Sequence, residues 1–424
     1  MNKIISKIKQ IFSIPDLRKK ILIVALLLVA FRLFAAIPVP DVDATKLKAI
    51  FSSNQLLGIL NVFSGGTMDN LSIVMLGVGP YITATIIMQL LTMIFPKMKE
   101  MYYEEGEAGR MKFNQISRYI TVPLALLQSY AYLNILTSQG ALSAMALPSM
   151  IRNIILITAG TMFVMWIGEL ISEYKIGNGI SLIIFAGIIS SIPNVIRNAV
   201  VSYQPSMLTT YLGFLVVAVM IIAGVVIINE AERKVPVSYA KRVRGNRMFG
   251  GVSTYLPLKV NQAGVIPIIF AISIMLFPQF IGQIFAVIKT TWALNVSNFL
   301  IKLFQNQIIY SGLYFVLVLL FTYFYTMVTF DPKEISQNLQ KNGGFVPGIR
   351  PGQPTASFLS QVLNRITLVG ALFLGLIAVL PSILVGVTGN QTLTIGGTSV
   401  LIVVSVALET YKQIESQLVM REYE

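Results

Sequence analysis

The feature that most constrains this chain is a succession of long apolar runs, recurring from one end to the other and separated by short polar segments. A helix that crosses a hydrocarbon layer of about 30 Å needs roughly 20 mostly apolar residues, because each residue advances it by about 1.5 Å. Runs of this kind predict spans at 21–37, 71–95, 119–136, 153–172, 180–197, 208–228, 263–281, 308–330, 366–385 and 398–411. With 55% of 424 residues hydrophobic and only 12% charged, the bilayer is the solvent that the composition suits. Backbone polar groups in lipid must be satisfied within the span, which favours helices. The predicted fold class is therefore all-α, a polytopic membrane protein of ten transmembrane helices.

Cysteine and histidine are both absent. That removes thiolate nucleophiles, the usual zinc and haem ligands and histidine-based general bases, so no cofactor or metal is expected and an enzyme is not the expected reading. Residues 1–20 are basic and amphipathic, and the apolar run after them lacks a small-residue cleavage site. It reads as a first helix in place, not a removed leader.

Ten crossings put both termini on one side, which lets the charge bias set the orientation. One face collects 25 of the 32 Lys and Arg residues, in segment 1–20, the loop 97–118, Lys175, the loop 230–262, the loop 331–365 and the tail 412–424. The other face has Lys46, Lys48, Lys289 and Lys302, while Arg32, Arg152 and Arg197 fall in or at the edge of spans. By the positive-inside rule both termini are cytoplasmic. Most of the net charge of +14 is thus topological. The loop 230–262 carries Arg233, Lys234, Lys241, Arg242, Arg244, Arg247 and Lys259, more than topology requires. Such a loop can dock an RNA surface or an acidic protein, or it can be a solvated loop that only fixes topology.

The spans divide into two sets of five, 21–200 and 201–411, and the sets share a pattern. GVGPYITATIIM, from Gly77 to Met88, matches GVIPIIFAISIM, from Gly264 to Met275, at seven of twelve positions. More weakly, Gly179, Ser181 and Ile184 align with Gly397, Ser399 and Ile402. An odd number of spans per half inverts the second half, so the two would meet near the midplane around a transport path. The shared Pro predicts a kinked helix there, tolerated only where protein or a cavity satisfies the freed carbonyl. The residues at the paired positions are Val78, Ile82, Ile184, Ile188, Ile269 and Ile402, none of them charged. An apolar collar seals by excluding water, whereas coupled solute carriers place ionisable groups in their spans. Here the deep ones are Arg32 and, near the cytoplasmic edge, Glu169 and Glu230.

Between the first two spans, residues 56–71 are too short and too polar to cross, and read as a half-helix re-entering from outside with Gly65 and Gly66 as a hinge. A proton- or sodium-coupled transporter is a rival supported by the repeat alone. An intramembrane protease is another, although H-E-x-x-H, G-x-S-x-G and deep Lys or Asp residues are missing. The phosphate-cradling G-x-x-x-x-G-K-[ST] loop is missing too, so an energy source must lie elsewhere.

The strings FRLFAAIPVP at Phe31, NVFSGGTMDNLSI at Asn61, GPYITATIIMQLL at Gly79, EGEAGRMKFNQISRY at Glu105 and WIGELISEYKIGNGISLIIFAGI at Trp166 occur in that order. VSYAKRVRGNR at Val237, STYLPLKVNQAGVIPIIFA at Ser253, FDPKE at Phe330, GFVPGIRPGQPT at Gly344 and GGTSVLIVVSVALE at Gly396 follow. Together they resemble the SecY family over essentially the whole chain. The resemblance implies a protein-conducting channel with two inverted five-helix halves around a central pore. Its lateral gate would set the second and third spans against the seventh and eighth. It implies a pore ring at Val78, Ile82, Ile184, Ile188, Ile269 and Ile402. A plug would lie at Asn61, Val62, Phe63, Ser64, Gly65, Gly66, Thr67, Met68, Asp69 and Asn70. Docking residues for a ribosome or the SecA ATPase would be Arg242, Arg244, Arg247 and Arg350. Two departures stand out: Val78 replaces the isoleucine common in the ring, and Arg244 stands where a polar residue is common. SecE and SecG subunits, secretory preproteins, nascent membrane proteins and membrane lipids are the further implied partners, and the bacterial cytoplasmic membrane the implied location.

Overall fold

A computed structural model describes residues 10, 13–40, 67, 71–138, 142, 146–201, 205, 208–239, 242–244, 247–249, 253–287, 290–388 and 396–422. Thirteen helices of this set carry the architecture. They are α1 (Pro15–Ala35), α2 (Gly79–Ile94), α3 (Pro96–Tyr103), α4 (Gly106–Ser138), α5 (Leu147–Glu173), α6 (Gly179–Val201) and α7 (Leu208–Glu230), followed by α8 (Ile266–Val287), α9 (Thr291–Gln305), α10 (Gln307–Thr329), α11 (Pro332–Lys341), α12 (Gln353–Thr388) and α13 (Gly396–Glu422). Every predicted span falls on one of them. Five of the described helices are long and apolar enough to cross a membrane, and a sixth crossing results if α2 and α3, bent by 111° at their junction, count as one. The burial pattern suits a lipid solvent, since α7 leaves Leu212, Leu215, Val216 and Val219 exposed along its length.

The second span departs from its expected form. Residues 71–78 are turns, and helix starts only at Gly79. Instead of continuing α2, this stretch pairs with the chain after α1: the Val39 N–H donates to the Leu71 carbonyl at 2.8 Å and the Ile73 N–H to the Ile37 carbonyl at 3.0 Å. The matched segment in the second half also begins with a turn. Gly77 has φ +53° and Gly264 φ +59°, the left-handed region that glycine enters without a Cβ clash. Two residues after each glycine a helix begins, α2 at Gly79 and α8 at Ile266. The Gly79 and Ile266 N–H groups donate to the carbonyls three residues back, Leu76 and Ala263, at 3.1 and 3.3 Å. The prolines therefore do not kink these helices, contrary to the sequence expectation. Pro80 and Pro267 sit in the first helical turn, where the missing N–H has no intrahelical partner to lose and a fixed φ suits the start.

Helices α4, α12 and α13 run 33, 36 and 27 residues, longer than a bilayer needs, and their surplus lies beside the basic loops. Those loops contain the strands among the described residues: β1 (Glu232–Tyr239), β2 (Arg242–Arg244), β3 (Arg247–Phe249), β4 (Ser253–Lys259) and β5 (Gly344–Phe345). The sequence reading does not anticipate them. β1 lies between β4 and β5, antiparallel to both, with Val235 opposite Leu256 and Ser238 opposite both Ser253 and Phe345. The loops 230–262 and 331–365 thus share one sheet. Val235, Leu258, Val346 and Leu359 bury a small core of their own beneath it, tying the sheet to the start of α12.

Candidate functional site

The six apolar residues that the repeat singles out come from four helices. Val78 immediately precedes α2 and Ile82 lies in its first turn; Ile269 lies in the first turn of α8; Ile184 and Ile188 lie on α6, and Ile402 on α13. None is more than 6% exposed. All six belong to one buried apolar cluster that also takes Phe31 from α1, Val164 from α5, Val225 from α7 and Val318 from α10. Ser181 and Ser399, the other matched pair, are buried too. Helices approach closely at this level: a Cβ on Gly179 would run into the Gly168 carbonyl, so α6 rests directly on the backbone of α5.

The two halves meet along α8, which packs against α2 and α4. The Phe270 ring meets Phe321 and Tyr325 of α10 edge-on, at centroid distances of 5.9 and 6.2 Å. At the basic face the Tyr103 hydroxyl of α3 donates to the Val328 carbonyl of α10 at 3.3 Å, crossing the same seam. Burial and the neighbouring Tyr102 and Asp331 hold the Tyr103 phenol above its usual pKa.

Glu169 and Glu230 are both paired. Glu169 accepts from Arg118 Nε at 2.7 Å, joining α4 to α5, and Glu230 takes Lys412 Nζ at 2.7 Å, joining α7 to α13. The Arg32 guanidinium lies 5.8 Å from the centre of the Phe31 ring. Asn229, Asn261 and Ser405 form a polar chain among the apolar helices, and sequence reasoning misses it. The signal available is a pair of asparagines at the ends of apolar runs, where amides need partners.

Of the plug positions only Thr67 is described; residues 61–66 and 68–70 lie outside the described set, as does most of the re-entrant stretch 56–71. Thr67 is fully buried, and its hydroxyl reaches the Val74 and Met75 carbonyls at 3.1 and 3.3 Å. Arg242 and Arg244 lie on β2 and Arg247 on β3, with Arg244 directly opposite Arg247. Arg350 lies in a turn flanked by Gly348 and Gly352, with φ +83° and +94°. Its carbonyl accepts from the Thr355 hydroxyl at 2.8 Å.

A family model described as SecY matches residues 72–411. The chain belongs to the SecY family. A SecY-family relative from Streptomyces galbus, called protein translocase subunit SecY, is 43% identical over 433 residues that cover 97% of each protein. Among solved structures, one described as a protein conducting channel superposes with a TM-score of 0.65 at 19% identity, covering 93% of this chain and 91% of that one. Sec61 in a canine ribosome-channel complex gives 0.63 at 19% identity over the same shares. The SecY fold, an all-α polytopic membrane architecture, is therefore this chain's fold, and the family is one of protein translocase subunits.

Proposed function

We propose that this chain is the pore-forming subunit of a bacterial Sec translocase. It passes unfolded polypeptides across the cytoplasmic membrane and releases apolar segments sideways into lipid. The observation that carries the reading is that six apolar, uncharged side chains, drawn from helices of both halves, are buried in one cluster. Val78, Ile82, Ile184, Ile188, Ile269 and Ile402 act as the pore ring. They hold no site for a solute and yield to a bulky chain, while in the resting protein they exclude water and ions. A carrier of small solutes would need ionisable groups facing the path, and Glu169 and Glu230 already hold Arg118 and Lys412.

In this reading residues 61–70 are the plug, and α2 and α4 against α8 and α10 form the lateral gate. Both termini face the cytoplasm, and the shared sheet with its Arg242–Arg247 hairpin and the Arg350 turn is the docking platform. The ribosome is a fitting partner, since the structurally similar Sec61 was solved in a ribosome-channel complex. SecA, SecE and SecG are proposed from the family resemblance, with preproteins and nascent membrane proteins as cargo. The test is ion conductance of the purified protein in planar bilayers. Ile82→Asn or Ile269→Asn should wet the constriction and raise resting conductance, and unchanged conductance in both would sink the seal.

A further inference from the structure

One side-chain chain of hydrogen bonds links two helices of the second half, α7 and α13, to the turn that precedes a third, α8. Both hydrogens of the Asn261 amide are used: Nδ2 donates to Asn229 Oδ1 at 2.8 Å and to the Gly264 carbonyl at 3.1 Å. Asn229 Nδ2 in turn donates to Ser405 Oγ at 2.8 Å. Asn261 and Ser405 are 6% and 7% exposed, and Asn261 keeps this position although its own Oδ1 is buried without a donor. Buried amides are costly unless bonded, so the groups specify one another's placement.

Their places in the chain give that placement a use. Asn229 is the penultimate residue of α7, Asn261 precedes α8, and Ser405 lies on α13. Gly264, whose carbonyl Asn261 holds, is the left-handed residue from which α8 departs, five residues before Ile269. Ser405 is three residues beyond Ile402, on the same face of α13. We infer that Asn229, Asn261 and Ser405 are positioning residues that lock the turn under α8 to α13 through the end of α7. They thereby set Ile269 and Ile402 at a common level. The part played by those two isoleucines rests on the pore-ring reading, whereas the tie between helices does not. In the first half the corresponding turn is held differently, by the Thr67 hydroxyl on the Val74 and Met75 carbonyls and by Ser72 Oγ on the Val74 N–H. The amide lock is thus a property of the second half.

The experiment uses the full chain, which has no cysteine and so accepts a spin-label pair at Ile281→Cys on α8 and Met420→Cys on α13 without background. Both positions are exposed. In this background Asn229→Leu removes both bonds of the Asn229 amide, to Ser405 and from Asn261, Ser405→Ala removes one, and Ser405→Thr keeps the hydroxyl. The lock predicts a broadened label-to-label distance for the first two and the parent distribution for Ser405→Thr. It also predicts a rise of about fivefold in resting conductance for Ser405→Ala, the shift in a two-state population that one ordinary hydrogen bond supports, and at least that rise for Asn229→Leu. The double variant should leak no more than Asn229→Leu alone, since that substitution already removes the bond to Ser405. A purely structural role would lower thermal stability with the distance unchanged, and that result overturns the inference. Broadened distances with unchanged conductance keep the lock and refute the pore-ring reading.

Discussion

At the residue scale the protein depends on a few positions where backbone geometry or burial leaves no freedom. Gly264 is one. A Cβ there would meet nothing within 4 Å, yet φ is +59°, so the cost of a side chain is backbone strain alone. Gly264→Ala should destabilise the folded protein by about 1–2 kcal/mol. Thermal unfolding in detergent measures this, and an unchanged midpoint would show that the turn relaxes freely. The sequence points to this glycine through its match with Gly77, but suggests the wrong mechanism. The Gly-x-x-Pro spacing reads as a kink because proline inside a long apolar run breaks a helix. Here the run contains a turn before the helix, and proline opens the first turn. A continuous apolar string cannot distinguish these cases, since lipid-depth turns and helices have the same composition when protein covers both.

At the element scale the spans are legible because a hydrophobic run of about 20 residues matches the thickness of a bilayer and exceeds what the core of a small soluble domain can cover. The sheet on the basic face is not legible. Its central strand, ERKVPVSY, reads as charged loop, and its neighbours β4 and β5 come from two different loops, so the pairing is visible only in space. In the proposed function that sheet bears on docking, because Arg242, Arg244 and Arg247 lie on a hairpin that follows β1, whose Val235 packs in one core with Leu359 of α12. Arg242→Glu with Arg247→Glu should weaken ribosome or SecA binding at low salt by an order of magnitude or more. The loss should shrink as salt rises, because screening removes the attraction from the parent protein too. Equal binding of parent and variant at low salt would reduce the loop to topology. A second element-scale prediction concerns the seam between halves. Tyr103→Phe removes the hydroxyl that bridges α3 to the Val328 carbonyl, a bond of about 0.5–1.5 kcal/mol. With that bond gone the seam should open more often, and crosslinking between cysteines introduced on facing positions of α2 and α8 should slow; an unchanged rate would show that the bond does not hold the seam.

At the scale of the whole molecule the proposed function makes the chain a passive conduit driven by a partner. The sequence has no phosphate-binding loop, cysteine or histidine, and no group of His, Cys, Asp or Glu able to hold a metal occurs among the described residues. Purified alone in vesicles it should move no preprotein, and import should appear when a motor is added at the basic face. Net import by the chain alone would contradict a passive channel. The central claim is that a polypeptide passes through the ring of Val78, Ile82, Ile184, Ile188, Ile269 and Ile402. The absence of native cysteine makes this directly measurable: a stalled preprotein carrying one cysteine is tested against Ile82→Cys, Ile269→Cys and, as a lipid-facing control, Val219→Cys. Passage through the ring predicts disulfide crosslinks to Ile82→Cys and Ile269→Cys and none to Val219→Cys. Crosslinks absent from both ring positions while the preprotein is demonstrably stalled in transit would contradict it.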